Sequence, residues 1–399
     1  MSKPLAGVRV LDLTHILSGP FATMTLADLG AEVVKVEPPE GERTRRLLAD
    51  DPRHSIAGMG AYFLCLSRNK KSLVVDLKGE AGRELFYQLV AKADIVCDNF
   101  SVGVTAKLGI DHDRLAAINP RIITCSISGF GETGPGRNRT AFDQVVQAYG
   151  GNMSITGFDA RHPLRSGLPI ADLGGSLFGL VGILTALYER ERSGRGQHLD
   201  ISMLDGQIAM MSYMATMYFL SGEDPEPIGN SHFVHVPYNS FATRDGAIVI
   251  AVIFDEFWKS LLEVLGADDL RRPEFDRQPG RLANKQLIED RVAEIFATDT
   301  TAHWLEKLEA VRIPCAPVNR FSEALADPQV RHRDMVVEVG HPDGGRTFAP
   351  GNPIKLSRSD PATFAPAPTL GQHSDEVLKE WLGLDGAGIA RWREAGATR

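Results

Sequence analysis

The feature that most constrains the fold lies in residues 7–37, where GVRVLDLTH, SGPFATMTLADLG and AEVVKVE follow one another. The first is an apolar, β-branched run and reads as a buried strand ending at Thr14-His15. The second reads as a short helix, with Ser18 at its cap, Pro20 in its first turn and Gly30 at its stop. The third is a strand ending at Glu37. Such a unit favours parallel strands joined by a right-handed crossover. KSLVVDL, GEAGRELFYQLVAKA, DIVCDNF and RIITCSIS repeat the theme, so the expected fold class is α/β with a large doubly wound, Rossmann-like domain.

An acid ending the second strand invites a dinucleotide reading. The first turn, THILSGPFAT, lacks GxGxxG, so a pyrophosphate could not approach its backbone in the usual way and NAD is not expected. Residues 174–220 read as mostly helical, and the methionines of MLDGQIAMMSYMATMYFL read as helix packing. SGEDPEPIGNSHFVHVPYNS reads as a linker. Beyond it, FATRDGAIVIAVI reads as a hairpin turning at Asp245-Gly246, followed by three amphipathic helices. The expected organisation is a large domain over 1–220, a linker over 221–240, a small α+β domain over 241–325, and a linker and return to the large domain over 326–399.

Bulk properties exclude several classes. The net charge of −8 is spread along the chain, which argues against a nucleic-acid partner held by counterion release. Four cysteines lie far apart without CxxC spacing and read as reduced buried thiols. The N-terminus does not resemble a signal peptide, and no run approaches the roughly 18 apolar residues that span a bilayer. A cytoplasmic chain with no membrane partner is expected. No His, Cys or acidic cluster has metal-ligand spacing, so no metal is expected.

RSGLPIADLGGSLFGL, residues 165–180, holds a lone acid, Asp172, between an apolar run and a Gly-Gly-Ser turn. Physically, that carboxylate either caps the following helix or performs chemistry, and the segment alone leaves both open.

LDLTHILSGPFAT, LADLGAEVVKVEPPEG, RNKKSLVVDLK, ADIVCDNFSVG, ISGFGETGP, SGRGQHLDISMLD, RIPCAPV and TLGQHSDEVL together resemble the class III coenzyme A transferases, in order and over nearly the whole chain. The resemblance implies a ring-shaped subunit threaded through its copy as an interlocked homodimer. It implies coenzyme A as co-substrate, a small carboxylic or dicarboxylic acid as acceptor, and no metal, nicotinamide or flavin. It places the catalytic nucleophile at Asp172, supported by Asp143, Gly174 and Gly175, with the glycines admitting the thioester and a helix start keeping the carboxylate ionised. CoA contacts are implied at Ile16, Leu17 and Ser18, at Arg68, Lys70 and Lys71, at Asn99 and Phe100, and at Arg137 and Arg139. Arg45, His232, His235 and Tyr238 are the residues expected to meet the acyl group or acceptor.

Some positions depart from the family's pattern. Leu17 and Pro38 stand where relatives often carry Gln and Arg, and IGNSHFVHVPYNS replaces a glycine-rich loop, which puts the oxyanion arrangement in doubt. Phe142 stands where the related acyl-CoA racemases carry a proton-transferring His, which disfavours that reading of the same fold. A catalytically silent acyl-CoA-binding homologue is disfavoured by Asp172 and its glycines.

Overall fold

The structure, a computed structural model, describes residues 3–359 and 363–399. Residues 360–362 of the expected second linker lie outside the described residues.

Six strands form one all-parallel sheet: β1 (Arg9–Asp12), β2 (Glu32–Glu37), β3 (Lys70–Val74), β4 (Ile95–Asp98), β5 (Ile123–Ser128) and β6 (His198–Ser202). Their order across the sheet is β3-β2-β1-β4-β5-β6. Successive strand residues point to opposite faces, and each face has its own core. Val10, Val33, Ile95 and Cys97 pack beneath helices Ser18–Asp28 and Ile170–Ser193. Leu11, Val34, Val36 and Val96 pack beneath Glu80–Val90, His112–Ile118 and the C-terminal helices Ser374–Leu382 and Gly386–Glu394. Each buried aliphatic side chain contributes about 1.5–3 kcal/mol, and the two covered faces make the sheet doubly wound. The chain's end is stitched back to this sheet, where the Thr398 hydroxyl donates to the Val74 carbonyl at 2.6 Å.

Two compact units emerge: residues 1–152, 165–223 and 328–399 form one, and 153–164 with 224–327 form the other. Most of the segment expected as a linker, 221–240, therefore belongs to the second unit. That unit contains the antiparallel strands β7 (Tyr238–Ala242), β8 (Ala247–Ala251) and β9 (Cys315–Pro317). Trp258, Leu261, Ile288, Val292 and Trp304 of its helices fill the core beside that sheet.

Residues 174–220 are mostly helical, as expected, with the short edge strand HLDIS (β6) set between helices Ile170–Ser193 and Met203–Met210. One expectation needs correction, because not every apolar run is short. The 24-residue helix Ile170–Ser193 is long and apolar enough by composition to cross a membrane, yet half of its most apolar window is buried in the protein.

Candidate active site

The strand order reverses at β1, which lies between β2 and β4. The carboxyl ends of strands at such a reversal are the usual ligand position in open sheets of this kind. The turn after β1 rests on buried, fully paired charges. Lys70 Nζ donates to Asp12 Oδ2 at 2.8 Å, to Thr23 Oγ1 at 2.8 Å and to the Pro20 carbonyl at 3.2 Å. Lys35 Nζ donates to the Thr14 carbonyl at 2.8 Å. Against the cost of burial, Lys70 and Lys35 hold the Asp12 carboxyl well below the usual carboxylate range.

Above this platform His15 and Asn99 exchange two hydrogen bonds. The His15 N–H donates to Asn99 Oδ1 at 2.9 Å, and Asn99 Nδ2 donates to the His15 carbonyl at 2.7 Å. The clamp joins the β1 turn to the β4 turn and sets the His15 ring 5.8 Å from that of Phe100. Ile16 is held at φ +66°, a region that β-branched residues rarely occupy. Among the described residues the N–H groups of Ile16, Leu17, Ser18 and Gly19 donate to no backbone or side-chain acceptor. They stand at the start of helix Ser18–Asp28, where free amides and the helix dipole favour an anion such as a phosphate.

Helix Ile170–Ser193 brings Asp172 to this turn. The Ser176 hydroxyl, one helical turn after Asp172, lies 2.5 Å from the Ser18 carbonyl and 2.7 Å from the Asp172 carbonyl. Asp172 is not the cap of its own helix. The cap position is Pro169, and the free first-turn amides are taken by Asp143, whose Oδ1 accepts from the N–H groups of Ala171 at 2.9 Å and Asp172 at 3.2 Å. Gln147 Nε2 fixes the other Asp143 oxygen at 2.7 Å, while Gln147 Oε1 accepts from the Ser166 N–H at 2.8 Å. The Asp172 carboxyl is left half-buried without a cation. Burial, and then the neighbouring Asp143 charge, push its pKa up to about 7. The expectation that a helix start keeps this carboxylate fully ionised is therefore corrected, because another carboxylate already occupies that helix start.

Gly174 and Gly175 face the following helix. A Cβ on Gly174 would lie 2.6 Å from Met210 Cε, and one on Gly175 would lie 3.0 Å from Met203 Cγ. Both are buried and let helix Met203–Met210 pack close. The first-turn amides do not supply an oxyanion site, since the Ile170 and Leu173 N–H groups donate to Leu168 and Pro169.

Several expected CoA or acyl contacts are committed to the scaffold. Arg45 makes a bidentate pair with Glu37, both contacts at 2.6 Å, and donates to the Pro368 carbonyl. Arg68 pairs with buried Asp28 at 2.7 Å, and Lys70 lies under the β1 turn. Lys71 is held by Glu32, Glu376 and Glu380 at 2.7–2.9 Å. Each of these cations already sits beside at least one carboxylate of the scaffold. Arg139 lies over the Tyr149 ring at 5.0 Å, whereas the Arg137 side chain is exposed and makes no hydrogen bond or ion pair among the described residues.

His232, His235 and Tyr238 cluster in the second unit. The His232 ring stacks on Tyr238 at 5.1 Å and lies 4.8 Å from His235. Its Nδ1 accepts from the Val234 and His235 N–H groups at 3.0 and 3.1 Å, which places the proton of the neutral ring on Nε2. Among the described residues no group of three or more His, Cys, Asp or Glu could hold a metal ion. Sequence reasoning did not single out Ser176, His15 and Gln147, which act by tying backbone segments together.

A turn with free amides, tied through Ser176 to the helix that carries a cation-free carboxylate, suits the covalent handling of a large anionic thioester. Residues 5–374 match the model of CoA-transferase family III. The chain belongs to that family. This transferase is 37% identical to an acetyl-CoA:oxalate CoA-transferase of Acetobacter aceti, over 95% of its own length and 96% of the relative's. It is 34% identical to the human succinyl-CoA:glutarate CoA-transferase, over 99% and 90% of the two chains. Among solved structures, a CAIB/BAIF family protein from Brucella suis superposes with a TM-score of 0.85 at 35% identity, covering 96% of the transferase and all of that chain.

Proposed function

We propose that this CoA-transferase moves CoA from an acyl-CoA donor to a small dicarboxylic acid through the Asp172 carboxylate. An Asp172 oxygen attacks the acyl carbonyl and the C–S bond breaks, giving a mixed anhydride and CoA thiolate. The thiolate then attacks the aspartyl carbonyl, releasing the donor acid and leaving Asp172 as a CoA thioester. The acceptor carboxylate attacks that thioester to form a second anhydride and thiolate. Attack of the thiolate on the acceptor's acyl carbon yields the new acyl-CoA and free Asp172. Covalent storage divides one difficult exchange into easier steps and conserves the thioester energy without ATP. The observation that carries the reading is the Asp172 carboxyl itself, half-buried, cation-free and beside a second carboxylate that has taken over its capping role.

The free amides of residues 16–19 and the exposed Arg137 suit the phosphates of CoA, and the His232 Nε2–H is a donor suited to an acceptor carboxylate. Oxalate and glutarate, named for the relatives, support a dicarboxylate. Leu177, Phe178, Val181 and Tyr188, all exposed on the Asp172 helix, suit a surface covered by a second copy in an interlocked homodimer of ring-shaped subunits. Four free cysteines suit the cytoplasm.

Intact-protein mass spectrometry after mixing with succinyl-CoA or acetyl-CoA tests the mechanism. A CoA-sized or acyl adduct is expected on the wild type, lost to hydroxylamine and absent from Asp172→Ala, whose turnover falls by about 10⁴-fold. Retained turnover in Asp172→Ala overturns the assignment. Absence of any adduct alongside α-proton exchange into deuterated water points instead to epimerisation.

A further inference from the structure

A cavity of about 360 Å³ lies beside β4 and β5, lined by Leu13, Asp98, His112, Thr124, Glu132 and His198 among others. Its polar wall is one continuous hydrogen-bonded chain that the transfer chemistry leaves unused. His198 Nε2 lies 2.6 Å from Glu132 Oε2, and its Nδ1 lies 2.8 Å from Thr124 Oγ1. Thr124 Oγ1 lies 2.9 Å from His112 Nδ1, and the two imidazoles are 5.6 Å apart. Thr124 and His198 are register partners on β5 and β6, so the sheet itself fixes the middle of this chain.

The chain can be written with its protons. A hydroxyl donates one hydrogen, so Thr124 can serve only one of its two imidazole neighbours as donor. With His198 doubly protonated, Nε2–H donates to Glu132 and Nδ1–H donates to Thr124, whose hydroxyl then donates to an unprotonated His112 Nδ1. The Glu132 hydrogen bond and charge raise the pKa of His198, while burial and the His198 charge lower that of His112. The His198 bond also holds the Glu132 carboxyl below its ordinary value. The other charged groups here are the carboxyls of Asp98, Asp111, Asp113 and Asp200. Burial pushes Asp98 up to about 6 against the Ser126 hydroxyl that donates to it at 2.7 Å.

Glu132 sits in the GFGETGPG loop, which is clipped to β6 at two points. Its N–H donates to both Asp200 oxygens at 3.1 Å, and its carboxylate meets His198. The same loop carries Arg137 and runs on through Phe142 to Asp143, which caps the Asp172 helix. The geometry points to Glu132 and His198 as positioning residues, a charged pair that pins residues 129–139 and so holds Arg137 against the phosphates of acyl-CoA. This rests on the reading that the loop faces CoA phosphates during Asp172-dependent transfer.

The sign of the pH effect follows from the two groups. A His with a raised folded pKa contributes below the unfolded value near 6.5 and loses that contribution as pH rises through the folded one. A Glu with a lowered folded pKa contributes above about 4.3 and is lost as pH falls through the folded value. The pair is therefore charged from mildly acidic to near-neutral pH, and the loop loosens on the alkaline side.

Steady-state kinetics of the full chain with succinyl-CoA, from pH 5.5 to 9.5, test this. In the wild type the acyl-CoA KM is expected to be flat below the raised His198 pKa and to rise about fivefold as pH passes through it. Glu132→Gln should raise KM by a similar factor at all pH values, abolish the alkaline rise and leave kcat within twofold. His198→Lys, which keeps a cation at that position, should hold KM low into the alkaline range. Binding of free CoA by titration calorimetry should follow the same pattern. Wild-type KM profiles in both variants would overturn the anchor, as would equal losses of kcat and kcat/KM. Failure of the underlying reading is separately visible, because the wild type would then form no Asp172-dependent adduct.

Discussion

Asp12 and Asp172 both lie next to the turn at residues 14–18, and they show two uses of a buried carboxylate. Asp12 is wholly buried and receives Lys70, Thr14 and Thr23, with Lys35 close by. Asp172 receives no cation and faces a second carboxylate, so its proton is held to near neutrality. A buried charge that is fully paired holds the backbone in place, while one left unpaired keeps free energy available for chemistry. The difference between the two is therefore testable by removing partners.

The largest expected effect comes from breaking the paired site. Lys70→Met removes three donated hydrogen bonds and leaves Asp12 and Thr23 short of a partner inside the protein. Truncating one member of such a pair costs about 3–5 kcal/mol, a large share of the 5–15 kcal/mol typical of a domain. Denaturant unfolding should show that loss. A change below about 1 kcal/mol would mean that the pair does not hold the turn.

The unpaired site should respond in the opposite direction. Because the folded state raises the Asp172 pKa to about 7, the group's contribution to stability falls as pH rises from the ordinary carboxylate value through 7. Asp172→Asn removes that penalty and should be more stable than wild type by roughly 1–3 kcal/mol at pH 8, after allowing for partial exposure. The gap should close below about pH 4. Equal stabilities across that range would mean that Asp172 is not strained by its surroundings.

Much of the scaffold was legible because it follows period and punctuation. Alternating apolar runs separated by a helical pattern identify β1, β2 and β4 and the crossover between β1 and β2, and the resemblance picks out the Asp172 segment. Pairing across long separations was not legible. RNKKS looks like a phosphate-binding cluster until Asp28, Asp12 and Glu32 are seen to take its cations. HLDIS is too short beside two helices to declare itself a strand, and only its register with β5 makes it β6. Asp143 opens its own short helix in the sequence, and nothing local shows that its carboxylate caps another helix 29 residues away at Asp172. Such roles depend on which backbone amides lie within hydrogen-bond reach, which no local pattern encodes.

The smallest expected effect separates scaffold cations from substrate contacts. Lys71 meets three carboxylates but is partly exposed, so solvent screens each pairing and the network contributes about 1 kcal/mol or less. Lys71→Ala should therefore lower stability by no more than that, with the loss shrinking in high salt. It should leave the acyl-CoA KM unchanged, since all three partners belong to β2 and the C-terminal helix Ser374–Leu382 that packs on the sheet. A KM increase of fivefold or more would return Lys71 to the CoA site. In that case its carboxylates would be competitors for the substrate's phosphates rather than fixed partners.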